Sequence, residues 1–249
     1  MITTKELGAA IPKAKPLFGR LQDLYGGLPE TQCTCDDPGV CCMFLPEMTV
    51  LEALQWIMCL QAMSVTELTS SLRRFVAFYL TNPARLIGCP FRDDGACSIY
   101  KYRSFGCRSY GLWSQEMGRS RTRENRRGKK ALRNMWKRYG IELPAETVEF
   151  EIDYCDKVQV RPGKPVDDEA IMNLLTQVYH LGKPLGHLQS QFEEVYYSDF
   201  SFLLASLAFG MRKALLLKFA VIKEIVQEKT DTRLQQTLEK VSPTLLVFM

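Results

Sequence analysis

The chain has 249 residues, 46% of them hydrophobic and 24% charged, with a net charge of +4; this composition excludes a disordered or collagen-like protein. A membrane-spanning helix needs about 18 nearly uninterrupted apolar residues, and the best stretch, Phe202 to Ala220, is broken by Arg212, Lys213 and Lys218. The N-terminal segment lacks the basic-then-apolar layout of a secretory signal, so a cytoplasmic location without a membrane partner is expected.

In chain order, residues 1–30 carry Pro12, Pro16, Gly26, Gly27 and Pro29, which predicts a short helix followed by irregular wrapping. Thr49 caps a helix running to about Met63. Ser64-Val-Thr-Glu67 has the spacing of a capping box, in which hydroxyl and carboxylate each satisfy an end amide. The helix after it places Leu68, Leu72, Phe75, Val76 and Tyr79 on one face and stops at Asn82-Pro83. One short strand is expected around Ser98–Tyr100. Between 148 and 160, Val148, Phe150, Ile152, Tyr154, Val158 and Val160 alternate with Glu149, Glu151, Asp153, Lys157 and Gln159, the pattern of a half-buried strand or hairpin. Asp167 caps a helix with Ile171, Leu174, Leu175 and Val178 inward and Gly182 as its stop. A long helix from Asp199 to Glu228, apolar around much of its circumference, and another from Asp231 to Val241 complete the chain. The expected fold is mainly α with a small β-hairpin. It comprises a cysteine-rich metal-binding domain over 1–162 and C-terminal helices over 163–249, free to pack as one unit. The border falls at Pro162-Gly163-Lys164-Pro165.

The chemistry concentrates in cysteine. Seven of the nine cysteines form two groups, Cys33, Cys35, Cys41 and Cys42, then Cys89, Cys97 and Cys107, in loops rich in Gly, Pro and Asp. In a reducing compartment such clusters serve as metal ligands or catalytic thiols rather than disulfides, and an odd count leaves no complete pairing. With only two histidines, a metal site here is mostly or wholly sulfur-ligated. Zinc and a [4Fe–4S] cluster each take four cysteines, and seven candidates exceed that number. Adjacent Cys41 and Cys42 project differently and hardly reach one zinc together. Ligand number and softness favour [4Fe–4S], with zinc as the alternative. Restricted to four ligands, the reading takes Cys35, Cys42, Cys89 and Cys97. Arg103 and Arg108 bring positive charge that offsets a sulfur-ligated centre. Tyr100, with Pro90, Phe91, Ile99 and Tyr102, supplies an apolar shell. Cys59 in a helix and Cys155 in the expected strand read as plain small residues.

Cys35-x5-Cys41-Cys42 followed by CPFRDDGACSIYKYRSFGCRSY resembles the CxxCxxCC family of zinc- or iron-chelating domains, also called YkgJ-like cysteine-cluster proteins. The second half of that pattern is kept at Cys89, Pro90, Phe91, Asp94, Gly95, Cys97, Ile99, Tyr100, Arg103, Cys107 and Arg108. The first half departs from it: the family's second cysteine falls at Pro38, an extra one stands at Cys33, and the proline after the arginine is Ser104. The resemblance covers residues 30–112 and implies a metal centre. A similar segment in flagellin lysine N-methylases implies, as an alternative, protein modification with S-adenosylmethionine, although no glycine-rich loop for a nucleotide is readable here.

Residues 119–138 hold ten Lys or Arg against the single acid Glu124. Such a segment suits nucleic acid or an acidic protein partner, with Trp113, Trp136 and Tyr139 placed to stack; a zinc-stapled adaptor gripping its partner there is a third reading. The simpler account is a solvated basic helix. His180 and His187 straddle Gly182, Pro184 and Gly186 and do not share a helix face, so ordinary polar roles are expected. Glu149, Glu151 and Asp153 line one expected strand face as a solvated edge. No catalytic residue and no specific substrate or partner can be named from these patterns.

Overall fold

Thr3 opens the first helix with a full capping box: its hydroxyl accepts the Glu6 amide while the Glu6 carboxylate accepts the Thr3 amide. In this computed structural model, which describes residues 1–35, 39–93, 95–152, 154–161 and 167–247, that helix (α1, Thr4–Tyr25) continues unbroken through Pro12 and Pro16. The short helix with irregular wrapping is thus corrected. Leu7, Ala10, Ile11, Ala14, Leu21 and Tyr25 form a buried stripe, and packing of that stripe outweighs the hydrogen bonds that two prolines remove. Pro38, Asp94, Asp153 and the expected border at Pro162-Gly163-Lys164-Pro165 lie outside the described residues.

The two capped helices stand where their signals place them. Helix α2 (Val50–Gln61) begins at Thr49, paired with Glu52, and α3 (Val65–Thr81) begins at Ser64, paired with Glu67. All of the expected α3 face is buried, and the helix stops at Asn82. Between α3 and the basic helix α5 (Gln115–Arg138) lie the two-residue strands β2 (Arg92–Asp93) and β3 (Ala96–Cys97) and the short helix α4 (Phe105–Ser109). Ser98–Tyr100 is not a strand. The pairing lies just before it, Arg92 opposite Cys97 and Asp93 opposite Ala96.

The alternating segment is also corrected. Its start is a helical turn (α6, Ala145–Val148), and only β4 (Val158–Val160) pairs, with the remote strand β1 (Thr31–Cys33) in antiparallel register Cys33 to Val158. Alternation recorded which side chains are inward without supplying a neighbouring strand to complete a hairpin. Helix α7 (Asp168–Leu181) runs from the Asp167 cap to Gly182 as expected. Helix α8 (Gly186–Tyr196) follows.

The long C-terminal helix is broken. Helix α9 (Phe200–Phe209) and α10 (Met211–Lys223) meet at Gly210 with a bend of 107°. Gly210 has φ +79°, a conformation glycine adopts freely and an α-helix does not contain. The bend lets α9 and α10 both pack on α3, which one straight rod cannot do as closely. Helix α11 (Thr232–Glu239) follows, and a 3-10 turn at Pro243–Leu246 is the last described element. The chain is mostly helical with two small antiparallel sheets among the described residues. One continuous apolar cluster extends from Leu7 on α1 through Trp56 on α2 to Phe200 on α9 and Leu234 on α11. No single helix is long and apolar enough to cross a membrane.

Candidate metal centre

Helix α2 provides the platform on which the second cysteine group is built. Glu52 and Trp56, four residues apart, share a helix face, and each takes hold of that segment. The Trp56 indole N–H donates to the Tyr102 carbonyl at 2.9 Å. Glu52, 2% exposed, accepts the Phe105 amide and the Tyr25 hydroxyl on Oε1, each at 2.6 Å. Its Oε2 serves the Thr49 cap. Phe91, immediately after Cys89-Pro90, is fully buried edge-on to Trp56 and Phe75, with centroids 5.0 and 4.9 Å away. Phe200 closes the same aromatic box from α9. The loops bearing Cys89 and Cys107 are therefore plugged into the core by neighbours of the cysteines, and the thiols lie half-buried at its edge.

Four sulfurs then come within electrostatic reach of one another: Cys42, Cys89, Cys97 and Cys107. Cys42 sits in the helical turn Val40–Met43, and its carbonyl accepts the Cys89 amide at 2.6 Å, joining the two cysteine groups directly. Cys97 lies on β3, and Cys107 in α4. Backbone amides are aimed at two of the sulfurs, Phe91 N–H at Cys89 and Ile99 N–H at Cys97. The Ser104 hydroxyl lies 3.6 Å from the Cys107 sulfur. Amide and hydroxyl donors stabilise the thiolate over the thiol.

Positive charge comes from Arg92 and Arg103. The Cys42 thiol is pulled down to about 6, first by its hydrogen bond with Cys41 and then by these two guanidiniums. Burial pushes Cys89 up to about 12 and Cys107 to about 11, and raises Cys97; the Cys42 charge adds to the rise in all three. A cation among them reverses that repulsion. Arg92 went unrecognised in the sequence because its approach depends on Gly39. At φ +107°, a Cβ on Gly39 would meet the Arg92 guanidinium carbon at 2.6 Å, and Arg92 donates to the Gly39 carbonyl at 3.3 Å.

The other sequence candidates divide by position. Arg103 stacks over the Tyr100 ring at 3.7 Å. Arg108 ties the loop together, donating to the Arg103 carbonyl at 2.9 Å and the Lys101 carbonyl at 2.5 Å while lying over Tyr25. Cys33 and Cys35 stand apart from this quartet, their sulfurs 2.7 Å from each other, and Cys155 hydrogen-bonds with Cys35. Of the four-ligand reading, Cys42, Cys89 and Cys97 lie within electrostatic reach of Cys107, whereas Cys35 lies beside Cys33. Cys155 is not in the strand but precedes it. Cys59 meets none of these thiols in the interactions that set its acidity: burial alone raises it to about 11. Among the described residues, no three His, Cys, Asp or Glu side chains already stand close enough to hold a metal ion, so coordination requires the thiol-bearing loops to draw in.

The basic segment is helical and exposed along most of its length, yet much of its charge is engaged. Arg126 makes a two-pronged pair with Glu151, Arg127 pairs with Glu124, and Arg133 and Lys137 share Glu142. Arg121 stacks on Trp113, and Lys129 lies over Phe44. Trp136 is buried and stacks on Phe219. His187 contacts Gln191, and His180 lies in the last turn of α7. A cavity of about 210 Å³ beside Met43 and Phe44 is smaller than the usual small-molecule site of roughly 300–1,000 Å³. Comparisons with protein-family models, with curated proteins and with solved structures found no match to this chain.

Proposed function

We propose that this protein is a cysteine-cluster metal protein of the CxxCxxCC kind, holding a [4Fe–4S] cluster on Cys42, Cys89, Cys97 and Cys107 in a redox or cofactor role. The observation that carries the reading is the convergence of these thiols from the Val40–Met43 turn, the β2–β3 hairpin region and α4. Two of the sulfurs receive backbone amides, and two arginines face Cys42. Four thiolates are the ligand set that such a cluster takes. Burial of Phe91, Ile99 and Phe105 beside the cysteines supplies an apolar side that shields it.

Anaerobic purification with iron, sulfide and zinc analysis and an absorption spectrum tests this reading. Roughly four irons and four sulfides per chain are expected for one cluster, lost in Cys97→Ser and Cys107→Ser and kept in Cys59→Ser. A colourless protein with zinc as its only metal would make the centre structural and remove the redox role.

A further inference from the structure

We propose that the cavity between the Met43-Phe44 segment, the end of α3 and the inward side of α5 binds a small monocarboxylate, with a short alkyl chain or a single ring, whose carboxylate meets the Lys129 ammonium. Lys129 lines this cavity. Its Nζ is shielded from solvent and has no hydrogen-bond partner among the described residues. The other walls are chiefly apolar. Met43 and Phe44 come from the chain that follows Cys42, Leu86 and Ile87 from the chain that precedes Cys89, Phe78 from α3 and Leu132 from α5.

The helix period places Lys129 here. Lys129, Leu132 and Trp136 recur at spacings of three and four, so they share a side of α5, and burial of Trp136 turns that side inward. Phe44 and Phe150, packed on each other, present their rings to the ammonium at 4.9 and 5.8 Å. A ring face attracts a cation far less than its hydration shell does, and an ammonium has three hydrogens to donate. Glu151 is the acid whose charge acts on Lys129, yet both its oxygens are taken by Arg126 at 2.6 Å. Burial accordingly pulls the Lys129 pKa down. A buried ammonium without an acceptor is unfavourable, and a carboxylate in the cavity removes that penalty.

One unpaired cation among apolar walls defines the ligand class. A hydrocarbon alone leaves the ammonium unsatisfied, and inorganic phosphate leaves the apolar walls unfilled. Asn82 adds a side-chain amide to the wall, whereas Arg85, which also lines it, is already paired with Asp231 at 3.0 Å. A single negative charge is therefore matched and a dianion is not. The volume of about 210 Å³ is that of about seven waters at roughly 30 Å³ each. That is room for a short chain or one ring, and too little for a long-chain fatty acid or a nucleotide. The inference does not rest on the metal reading, although the Cys42 carbonyl, accepting the Cys89 amide at 2.6 Å, joins the two segments that supply four of the apolar side chains.

The test is isothermal titration calorimetry of hexanoate, hexanol and inorganic phosphate against the full-length chain and its Lys129→Met variant. Saturable binding of hexanoate is expected, about tenfold or more tighter than that of hexanol, as a charge-assisted hydrogen bond at a buried group provides. Lys129→Met should lose this preference and still bind the alcohol, which shows that the cavity remains formed. The comparison within the parent chain stands whether or not the variant folds. There, equal affinity for acid and alcohol, phosphate binding as tight as hexanoate, or no hexanoate binding with a Kd below about 1 mM would each overturn the proposal. So would an undiminished preference for the acid in Lys129→Met.

Discussion

Glu52 accepts the Phe105 amide at 2.6 Å across 53 residues of sequence, so the first amide of the helix carrying Cys107 is capped from the middle of the core rather than by its own neighbours. The same oxygen takes the Tyr25 hydroxyl from α1. A buried carboxylate thereby connects the first helix, the platform helix and the candidate metal loop.

Replacing Glu52 by Gln keeps the shape but turns one accepting oxygen into an amide donor. Each buried donor left without an acceptor costs roughly 1–3 kcal/mol. Urea unfolding of the metal-free protein is expected to show a lowered midpoint with an unchanged slope. Metal content should fall as well, because α4 loses its anchor; a variant as stable as the parent would show that the capping is dispensable.

Phe91 is 1% exposed and meets Trp56 and Phe75 edge-on. Truncation to Ala is expected to cost roughly 3–5 kcal/mol, as for other buried Phe side chains, and to release Cys89 from its place although every cysteine remains. Phe91→Leu should recover much of both properties. Metal retention at the parent level in Phe91→Ala would argue that the loop holds its own shape.

Gly39 is required twice over, by a φ of +107° and by the Arg92 guanidinium that crosses it. Gly39→Ala is expected to lose about 1–2 kcal/mol from the backbone conformation alone and to displace Arg92 from Cys42. Arg92→Gln leaves the backbone in place, so comparing the metal content of the two variants separates the loss of charge from the change of loop.

Lys218 places its ammonium 4.4 Å from the centre of the Tyr79 ring. Burial pulls its pKa down to about 8, and the Asp199 charge only partly restores it. The lysine of the unfolded chain titrates near 10.4. Below pH 8 both states are charged, and the whole cost of burying the charge is present. Between about 8 and 10.4 the unfolded chain binds more protons, so this group's contribution to stability rises with pH. Lys218→Met should stabilise the protein at pH 7 and flatten the pH dependence of its thermal midpoint between pH 7.5 and 9.5 relative to the parent. An identical profile in both proteins would exclude Lys218 as the cause.

Helix starts were the most legible part of this chain. Thr49, Ser64 and Asp167 form the caps that their spacing announced, because a cap is satisfied within four residues and needs no distant partner. Continuity was less legible. Pro12 and Pro16 did not end α1, whose buried stripe packs against the rest of the protein, and Gly210 did end a run that composition extended to Glu228. Breaks of this kind depend on which surface each half must cover.

The sequence by itself determined where the thiols are concentrated and which arginines follow them; the expectation that Cys41 and Cys42 project apart is not met, because their thiols hydrogen-bond each other. Only the tertiary structure decided how the thiols are partitioned. Cys42 joins Cys89, Cys97 and Cys107 through the contact of the Val40–Met43 turn with Cys89, and Cys155 meets Cys35 because β4 pairs with β1 from more than 120 residues away. Arg92 enters through a glycine whose backbone leaves room for it. Which thiols are present is local chemistry carried by spacing, whereas the grouping of the thiols depends on strand register and helix packing, which are settled by burying one apolar cluster drawn from the length of the chain.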